Sequence, residues 1–195
     1  MLFLLIIFAC KSGPDAEDYF QKAMSKWDEK DLTGAMADLN TSIKMRPDYA
    51  EAYLNRGILK NALEDSLGAV QDCEKAITID PKMISAYKKL GQFREAVNDN
   101  LGALKVYTRL INAIPDVVDG YFYRSISEDN LGDYKAAIKD MDKVIELSPR
   151  RAAFYTHRGF LKLKIYSFNG ACADFHKGAE LGDKMAVKQA AETCK

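Results

Sequence analysis

The chain lacks a surplus of charge of either sign. Lysine and arginine together number 28, and aspartate and glutamate also number 28, so the formal net charge is zero. Proteins that bind nucleic acid through its phosphates need a basic surplus on one face. The balance therefore argues against nucleic acid as the main partner.

Residues and motifs typical of catalysis are also scarce. The only two histidines, His157 and His176, have no cysteine or carboxylate at metal-ligand spacing. The sequence contains neither a glycine-rich phosphate loop nor a His-Glu-x-x-His motif. The acidic pair Glu128-Asp129 is predicted to face solvent. We therefore expect no catalytic residue, no metal and no cofactor, which leaves the alternative of an enzyme or a carbohydrate-binding subunit without a specific group to support it.

The apolar segment at the start is too short to span a bilayer as a helix. It holds nine apolar residues, Met1 to Ala9, whereas a spanning helix needs about 20. Its length instead matches the apolar core of a secretory signal. The basic residues expected ahead of that core are missing, which predicts that the natural start lies further upstream.

What the sequence does contain is a repeat of 34 residues. It shows in four independent ladders, each a series of identical residues that recur every 34 positions. Their members are Pro47, Pro81, Pro115 and Pro149; Tyr19, Tyr53, Tyr87, Tyr121 and Tyr155; Ala35, Ala69, Ala103, Ala137 and Ala171; and Asp31, Asp65, Asp99 and Asp133. A fifth ladder of small residues follows the tyrosines by four positions: Ala23, Gly57, Gly91, Ser125 and Gly159.

Each ladder has a physical reason. Positions four apart lie on one helix face, so each tyrosine ring and the small residue after it face the same neighbouring helix. The small side chains let the two helices of a unit approach closely. The aspartates stand where a second helix begins, where a carboxylate caps free N–H groups. The prolines end each unit, because proline cannot continue a helix.

This pattern resembles the tetratricopeptide repeat, a helix-turn-helix unit of 34 residues. The best unit begins Ala50-Glu51-Ala52-Tyr53-Leu54-Asn55-Arg56-Gly57 and closes at Pro81. The resemblance implies an all-α fold, a right-handed superhelix (α-solenoid) of about five units within residues 16–183, followed by a capping helix over residues 186–195. The expected units are 16–49, 50–83, 84–117, 118–151 and 152–185.

The first helix departs from the family pattern at its seventh and eleventh positions. The eleventh, usually tyrosine, holds Lys26, Lys60, Arg94, Glu128 and Lys162. The seventh position of a unit, usually leucine, holds Lys22, Arg56, Leu90, Arg124 and Arg158. Long charged side chains can lay their stems along apolar surface and keep the head in water. We therefore expect the fold to tolerate them, with their charged heads solvated.

The resemblance further implies that the first helices of the units line a concave groove where a partner binds. The predicted groove residues are Phe20, Met24, Trp27, Leu54, Ile58, Lys88, Gln92, Phe122, Ile126 and Phe160. The groove is apolar at both ends and polar in the middle, where Glu95 and Asp129 add acid. Such a groove suits a protein or peptide segment with hydrophobic side chains. The alternative is that these side chains pack as ordinary core.

A subclass of the family grips a C-terminal carboxylate with lysine and asparagine from three consecutive units. In the first three units, Asn55 and Lys89 match that clamp, whereas Phe20, Met24 and Ser85 do not. A receptor for chaperone tails is therefore not expected.

The end of the apolar segment, Ile7-Phe8-Ala9-Cys10, resembles the lipobox of bacterial lipoproteins. The resemblance implies a signal segment over residues 1–9, a lipid on Cys10 and a tether over residues 10–15. A diacylglycerol supplies two acyl chains, enough for stable anchoring. With no aspartate after Cys10, the sorting rule implies an outer-membrane lipoprotein facing the periplasm or the cell surface. The alternative is a cytoplasmic scaffold or co-chaperone whose N-terminus stays attached.

The remaining cysteines bear on the compartment. Cys73 falls on a core ladder and is expected to act as a small hydrophobe. In this family the terminal helix packs on the second helix of the last unit, which implies a disulfide between Cys172 and Cys194; two unpaired buried thiols are the alternative. A disulfide would agree with export, because such bonds persist in oxidising compartments.

Overall fold

The computed structural model describes residues 13–194, and within them every regular element is an α-helix. The eleven helices of this part of the chain are α1 (Ala16–Asp28), α2 (Leu32–Met45), α3 (Ala50–Ala62), α4 (Ser66–Ile79), α5 (Ile84–Ala96), α6 (Asn100–Ala113), α7 (Val118–Asn130), α8 (Tyr134–Leu147), α9 (Ala152–Lys164), α10 (Phe168–Glu180) and α11 (Lys184–Thr193). The all-α fold of paired helices is as predicted. The signal segment 1–9 and the lipidation candidate Cys10 lie outside the described residues.

The helices form two compact units, which divide between Ile79 and Asp80. The first unit holds α1–α4, and the second holds α5–α11. Each of the five 34-residue ranges contains two helices, and α11 follows the last of them. From residue 13 to residue 194, no helix combines the length and the apolar character that a membrane span requires.

The aspartate ladder caps the second helices, as predicted. The carboxylates of Asp31, Asp65, Asp99 and Asp133 each accept a hydrogen bond from the backbone N–H three residues later, at 2.8–3.1 Å. These N–H groups belong to the first turn of a helix and have no partner within it. The first helix has its own capping box, in which Asp15 and Asp18 exchange bonds with each other's backbone.

Close helix packing rests on the small-residue ladders. The five ladder alanines of the second helices, Ala35 to Ala171, are fully buried. A Cβ added at Gly91 would lie 2.2 Å from the Tyr107 ring, and one added at Gly159 would lie 2.6 Å from the Phe175 ring. The glycines are therefore required where the facing residue on the second helix is aromatic.

Three members of the tyrosine ladder join their first helix to the turn before it. The hydroxyls of Tyr87, Tyr121 and Tyr155 donate to the carbonyl of the proline six residues earlier, at 3.0–3.2 Å. The proline thus ends one repeat, and its carbonyl holds the aromatic ring of the next. The proline and tyrosine ladders, which look separate in the sequence, thus contact each other through these hydrogen bonds.

The arginines at the seventh position do more than lay their stems on apolar surface. Arg56, Arg124 and Arg158 each make two hydrogen bonds to a buried aspartate sixteen residues later, at 2.5–2.9 Å. These aspartates, Asp72, Asp140 and Asp174, form a further 34-residue ladder. The expectation of solvated heads was wrong for these three, because the planar guanidinium matches a carboxylate with two parallel bonds.

The third repeat replaces this ion pair with an apolar pair. Leu90 is fully buried and Val106 is 2% exposed, and they occupy the places of the arginine and the aspartate. Both partners change together, so neither charge is left buried alone. The substitution indicates that the fold does not require this ion pair, provided that no charge is left buried without a partner.

Glu128 corrects a second prediction. It was expected to face solvent, but the structure buries it to 8% exposure. It occupies the eleventh position of the fourth repeat, where Lys60 and Lys162 bind the buried aspartates of their own repeats at 2.8 Å. Burial and the nearby charge of Asp140 raise the pKa of Glu128 to about 7.

The predicted disulfide between Cys172 and Cys194 is present, with the sulfurs 2.11 Å apart. It joins α10 to the end of α11 and closes a loop of 22 residues. Loop closure removes entropy from the unfolded chain, so the bond stabilises the terminal helix. Cys73 is fully buried on its core ladder, as predicted.

Candidate functional site

The first helices of the second unit contact one another directly. Lys88 of α5 pairs with Asp119 of α7 at 3.0 Å. Lys164 of α9 pairs with Asp129 of α7, and Asp183 before α11 accepts a hydrogen bond from Thr156 of α9. These contacts join α5, α7, α9 and the start of α11 into one surface, here named the first-helix face.

One end of the first-helix face holds a polar cleft of about 510 Å³. The cleft lies between α5 and α7, and its lining consists of Ile84, Ser85, Lys88, Lys89, Gln92, Asp119 and Tyr123. The hydrogen bond to Asp119 raises the pKa of Lys88. Lys89 has no ion pair with any residue between 13 and 194. The cleft therefore carries one positive charge that the described protein does not neutralise.

The other end holds an apolar pocket of about 310 Å³. It is lined by Phe122, Ala153, Phe154, Thr156, His157, Phe160, Asp183 and Met185. The Phe122 and Phe154 rings lie 5.4 Å apart, and Phe160 packs against the buried Phe175 ring at 5.3 Å. Met185, at the start of α11, is 57% exposed at the pocket rim. The rings are held by the repeat core, so the pocket is formed before any ligand arrives.

The two titratable groups of the pocket are a neutral imidazole and a carboxylate whose oxygens both accept hydrogen bonds. Burial lowers the pKa of His157, so its imidazole is neutral at neutral pH. The carboxylate of Asp183 accepts bonds from Thr156 and from the backbone N–H of Met185, and the hydrogen bond from Thr156 lowers its pKa. The pocket therefore suits an apolar side chain.

The cleft and the pocket meet at two consecutive residues of α7. The Phe122 and Tyr123 rings lie 5.4 Å apart, and the Lys88 ammonium lies 5.2 Å from the Tyr123 ring. Phe122 points into the pocket and Tyr123 into the cleft. A single bound segment could thus contact both parts.

Glu95 and Asp129, expected to add acid to the middle of the groove, are both engaged. Glu95 accepts a hydrogen bond from Ser127 at 2.9 Å, and burial raises its pKa. Asp129 is paired with Lys164. Their charges are directed into contacts between first helices and add little acid to the cleft.

The structure gathers five of the predicted groove residues in the second unit. Lys88, Gln92, Phe122 and Phe160 line the cleft or the pocket, and Ile126 is half-buried on the same helix as Phe122. The sequence reasoning missed the participation of Tyr123, Phe154, His157 and Met185. Tyr123 lies one position after the predicted residue Phe122, and His157 lies three positions before the predicted residue Phe160, so the wall includes helix positions beyond those predicted.

The remaining predicted groove residues lie in the first unit and are more deeply packed. Phe20, Met24 and Trp27 are partly buried against the core cluster around Leu39, and Phe20 contacts the Tyr49 ring at 5.1 Å. Leu54 is only 7% exposed, and Ile58 is half-buried. In this unit the same side chains build the core and leave only part of their surface to solvent.

Between positions 13 and 194, no three side chains of histidine, cysteine, aspartate or glutamate come together as a metal site.

Comparisons with known proteins agree with the repeat architecture. Residues 20–84 and 125–151 match models of the tetratricopeptide repeat. The crystal structure of MamA protein has a TM-score of 0.74 and 22% identity, over 90% of this chain and 96% of that chain. The structure of MamA 41-end from Desulfovibrio magneticus RS-1 has a TM-score of 0.71 and 21% identity, over 85% and 94%.

YrrB, described as a TPR protein with an unusual peptide-binding site, has a TM-score of 0.71 and 19% identity, over 92% of this chain and 93% of that chain. At such identities the likeness shows the fold alone. No curated protein sequence matches the chain.

Proposed function

We propose that this chain of tetratricopeptide repeats is a non-catalytic scaffold that binds a segment of a partner protein on the first-helix face of its second unit. The observation that carries the proposal is the junction of a polar cleft and an apolar pocket at Phe122 and Tyr123. Pockets lined by aromatic side chains with a few placed polar groups are the usual form of binding sites. The peptide-binding site named for YrrB supports a peptide as the class of ligand.

Two properties of the pocket favour a partner over ordinary core packing. Phe160 already rests on Phe175, and Phe122 on Phe154, so the core is filled without a ligand. The pocket nevertheless remains open, with Met185 largely exposed at its rim. A bound apolar side chain would remove this surface from water, which is favourable in proportion to the area buried.

We also propose that a lipid on Cys10 anchors the protein to the outer membrane, facing the periplasm or the cell surface. The match of Ile7, Ala9 and Cys10 to a lipobox motivates this proposal. The Cys172–Cys194 disulfide supports an oxidising compartment over the cytoplasm. The tether after Cys10 is short, so the first repeat would lie close to the membrane surface.

Metabolic labelling with palmitate tests the anchor. The wild-type chain should take up label and move to the membrane fraction, whereas Cys10→Ala should do neither. Equal labelling of both chains would refute lipidation at Cys10.

Co-precipitation from solubilised membranes tests the binding site. The full chain should capture a partner that Met185→Glu loses, because this change places a charge at the rim of an apolar pocket. Met185 is 57% exposed, so the change should not affect folding. Val187→Glu is the matched control, since Val187 lies on the same helix, is 54% exposed and does not line the pocket. Capture that is equal in all three chains would reject the site.

A further inference from the structure

We infer that the segment bound by the second unit carries a large apolar or aromatic side chain and a carboxylate within about three residues of each other. The inference rests on the proposed function and specifies the chemistry of its partner. It follows from the size of the pocket, the charge of the cleft and the distance between them.

The pocket is large enough for one aromatic side chain. An apolar cavity of roughly 150 Å³ binds benzene, and the pocket at Phe122, Phe154 and Phe160 measures about 310 Å³. Aromatic rings pair well in offset or edge-to-face arrangements with centroids about 4.5–7 Å apart. With His157 neutral and Asp183 negatively charged, a carboxylate in this pocket would be desolvated without a cation to pair with.

The cleft favours a negatively charged side chain, whereas the pocket favours an apolar one. Its lining holds the two cations Lys88 and Lys89 and the single carboxylate of Asp119, which pairs with Lys88. A carboxylate from the partner would pair with Lys89 and could also bond to Gln92. A lysine or arginine from the partner would meet uncompensated positive charge, which costs binding energy and sets specificity.

The spacing follows from two distances that share one ring. Lys88 Nζ lies 5.2 Å from the centre of the Tyr123 ring, which lies 5.4 Å from the centre of the Phe122 ring, so Lys88 of the cleft lies at most about 11 Å from the Phe122 ring of the pocket. An extended chain advances about 3.3 Å per residue. Lys89 lines the cleft beside Lys88, so a carboxylate paired with Lys89 and an apolar side chain beside Phe122 are expected about three positions apart.

Paired synthetic peptides test this chemistry. Two fluorescein-labelled peptides of glycine and serine would carry phenylalanine and glutamate three positions apart, in either order, and their controls would carry lysine in place of glutamate. Fluorescence anisotropy with the full chain should show that the glutamate form of at least one order binds about tenfold more tightly than its lysine form. Absence of binding, or equal binding of the two forms, would overturn the inference.

Charge reversal on the protein provides the complementary arm. Lys89→Glu should abolish or invert the preference between the glutamate and lysine peptides. Lys139→Glu, an exposed lysine on the second helix α8, should leave the preference unchanged. A preference that persists in Lys89→Glu would assign the selectivity elsewhere and overturn the inference.

The same variants separate this inference from the proposed function. If Lys89→Glu still captures the membrane partner while Met185→Glu loses it, the apolar site stands and the carboxylate requirement is wrong. If the wild type captures nothing that depends on Met185, the proposed function itself fails.

Discussion

The fourth and fifth repeats, residues 118–151 and 152–185, share a framework but satisfy their buried aspartates differently. Arg124 holds Asp140, and Arg158 holds Asp174, each through two hydrogen bonds. In the fifth repeat Lys162 adds a second cation to the aspartate at 2.8 Å. In the fourth repeat Glu128 places a second carboxylate at the same position, and Arg124 pairs with both acids.

The two repeats differ in two further places. The small residue of the first helix is Ser125 facing Met141 in the fourth repeat and Gly159 facing Phe175 in the fifth. The turn between helices places Gly132 in the left-handed region in the fourth repeat and Tyr166 there in the fifth. The 34-residue period therefore determines where a small residue or a left-handed turn residue is needed. Which residue type is tolerated at that position depends on the side chain of the second helix that faces it.

The largest effect should come from breaking the fifth-repeat ion pair. Arg158→Leu leaves the buried Asp174 with Lys162 alone and should lower the free energy of unfolding by about 3 kcal/mol, since removing one partner of a buried pair is strongly destabilising. Urea denaturation followed by circular dichroism measures the change.

The third repeat supplies the design of a control for this variant. The double variant Arg158→Leu/Asp174→Val copies the Leu90 and Val106 pair of the third repeat and should recover most of the lost stability. A double variant less stable than Arg158→Leu would show that the pair is required for reasons other than charge compensation.

The second prediction concerns the small-residue ladder. Gly159→Ala should destabilise the chain by about 2 kcal/mol, because its Cβ would lie 2.6 Å from the Phe175 ring and overpacking forces side chains from their rotamers. Adding Phe175→Met, which copies Met141 of the fourth repeat, should restore much of the loss. Thermal unfolding of both variants tests this, and an unchanged melting temperature for Gly159→Ala would contradict the helix contact.

The third prediction is a pH dependence that arises from Glu128 in the fourth repeat. The pKa of Glu128 is raised to about 7 in the folded chain, from a usual value near 4.5. The folded state therefore favours the protonated acid, so its stability contribution is complete below pH 4.5 and is lost as the pH rises through 7.

Glu128→Gln should consequently gain about 1 kcal/mol over the wild type at pH 8 and little at pH 5, and Glu128→Lys should gain more by copying Lys162. Denaturation of the three chains at both pH values gives the comparison. The groups that act on Glu128 are Arg124, Asp140 and Asp133, all present in each variant. A gain of equal size at both pH values would show that the carboxyl group does not titrate in this range.

The smallest effect should come from the fifth turn. Tyr166 has a φ of 59°, a conformation that is costly for a bulky residue, and its side chain is 81% exposed. Tyr166→Gly, which copies Gly132, should raise the free energy of unfolding by about 0.5 kcal/mol. A decrease would indicate that the ring contact with Phe168, at 6.4 Å, outweighs the backbone strain.

Much of this architecture could be predicted from the sequence, because the ladders of Tyr53, Ala69, Asp65 and Pro81 each report a local constraint of helix packing, capping or termination. The buried aspartates Asp72, Asp140 and Asp174 were missed although they keep the same 34-residue period. A charged residue is normally taken as solvated, and only the facing arginine at 2.5–2.9 Å shows that these are buried.

The candidate site was predictable only in part. The resemblance to the repeat family predicts Phe122 and Phe160, but the width of the wall depends on how α7, α9 and α11 pack, which brings in His157 and Met185. The burial of Glu128 likewise depends on its contact with the second helix rather than on its neighbours in sequence. Periodicity therefore defines the elements, and tertiary contacts define the site.

The most direct test of partner binding on the first-helix face is site-specific photo-crosslinking in cells. Benzoylphenylalanine in place of Phe160 lies in the apolar pocket, whereas the same group in place of Lys139 lies on the exposed side of α8. The account predicts a covalent adduct with a partner protein from the Phe160 position and none from the Lys139 position. An adduct from Lys139 alone, or adducts of equal yield from both, would contradict it.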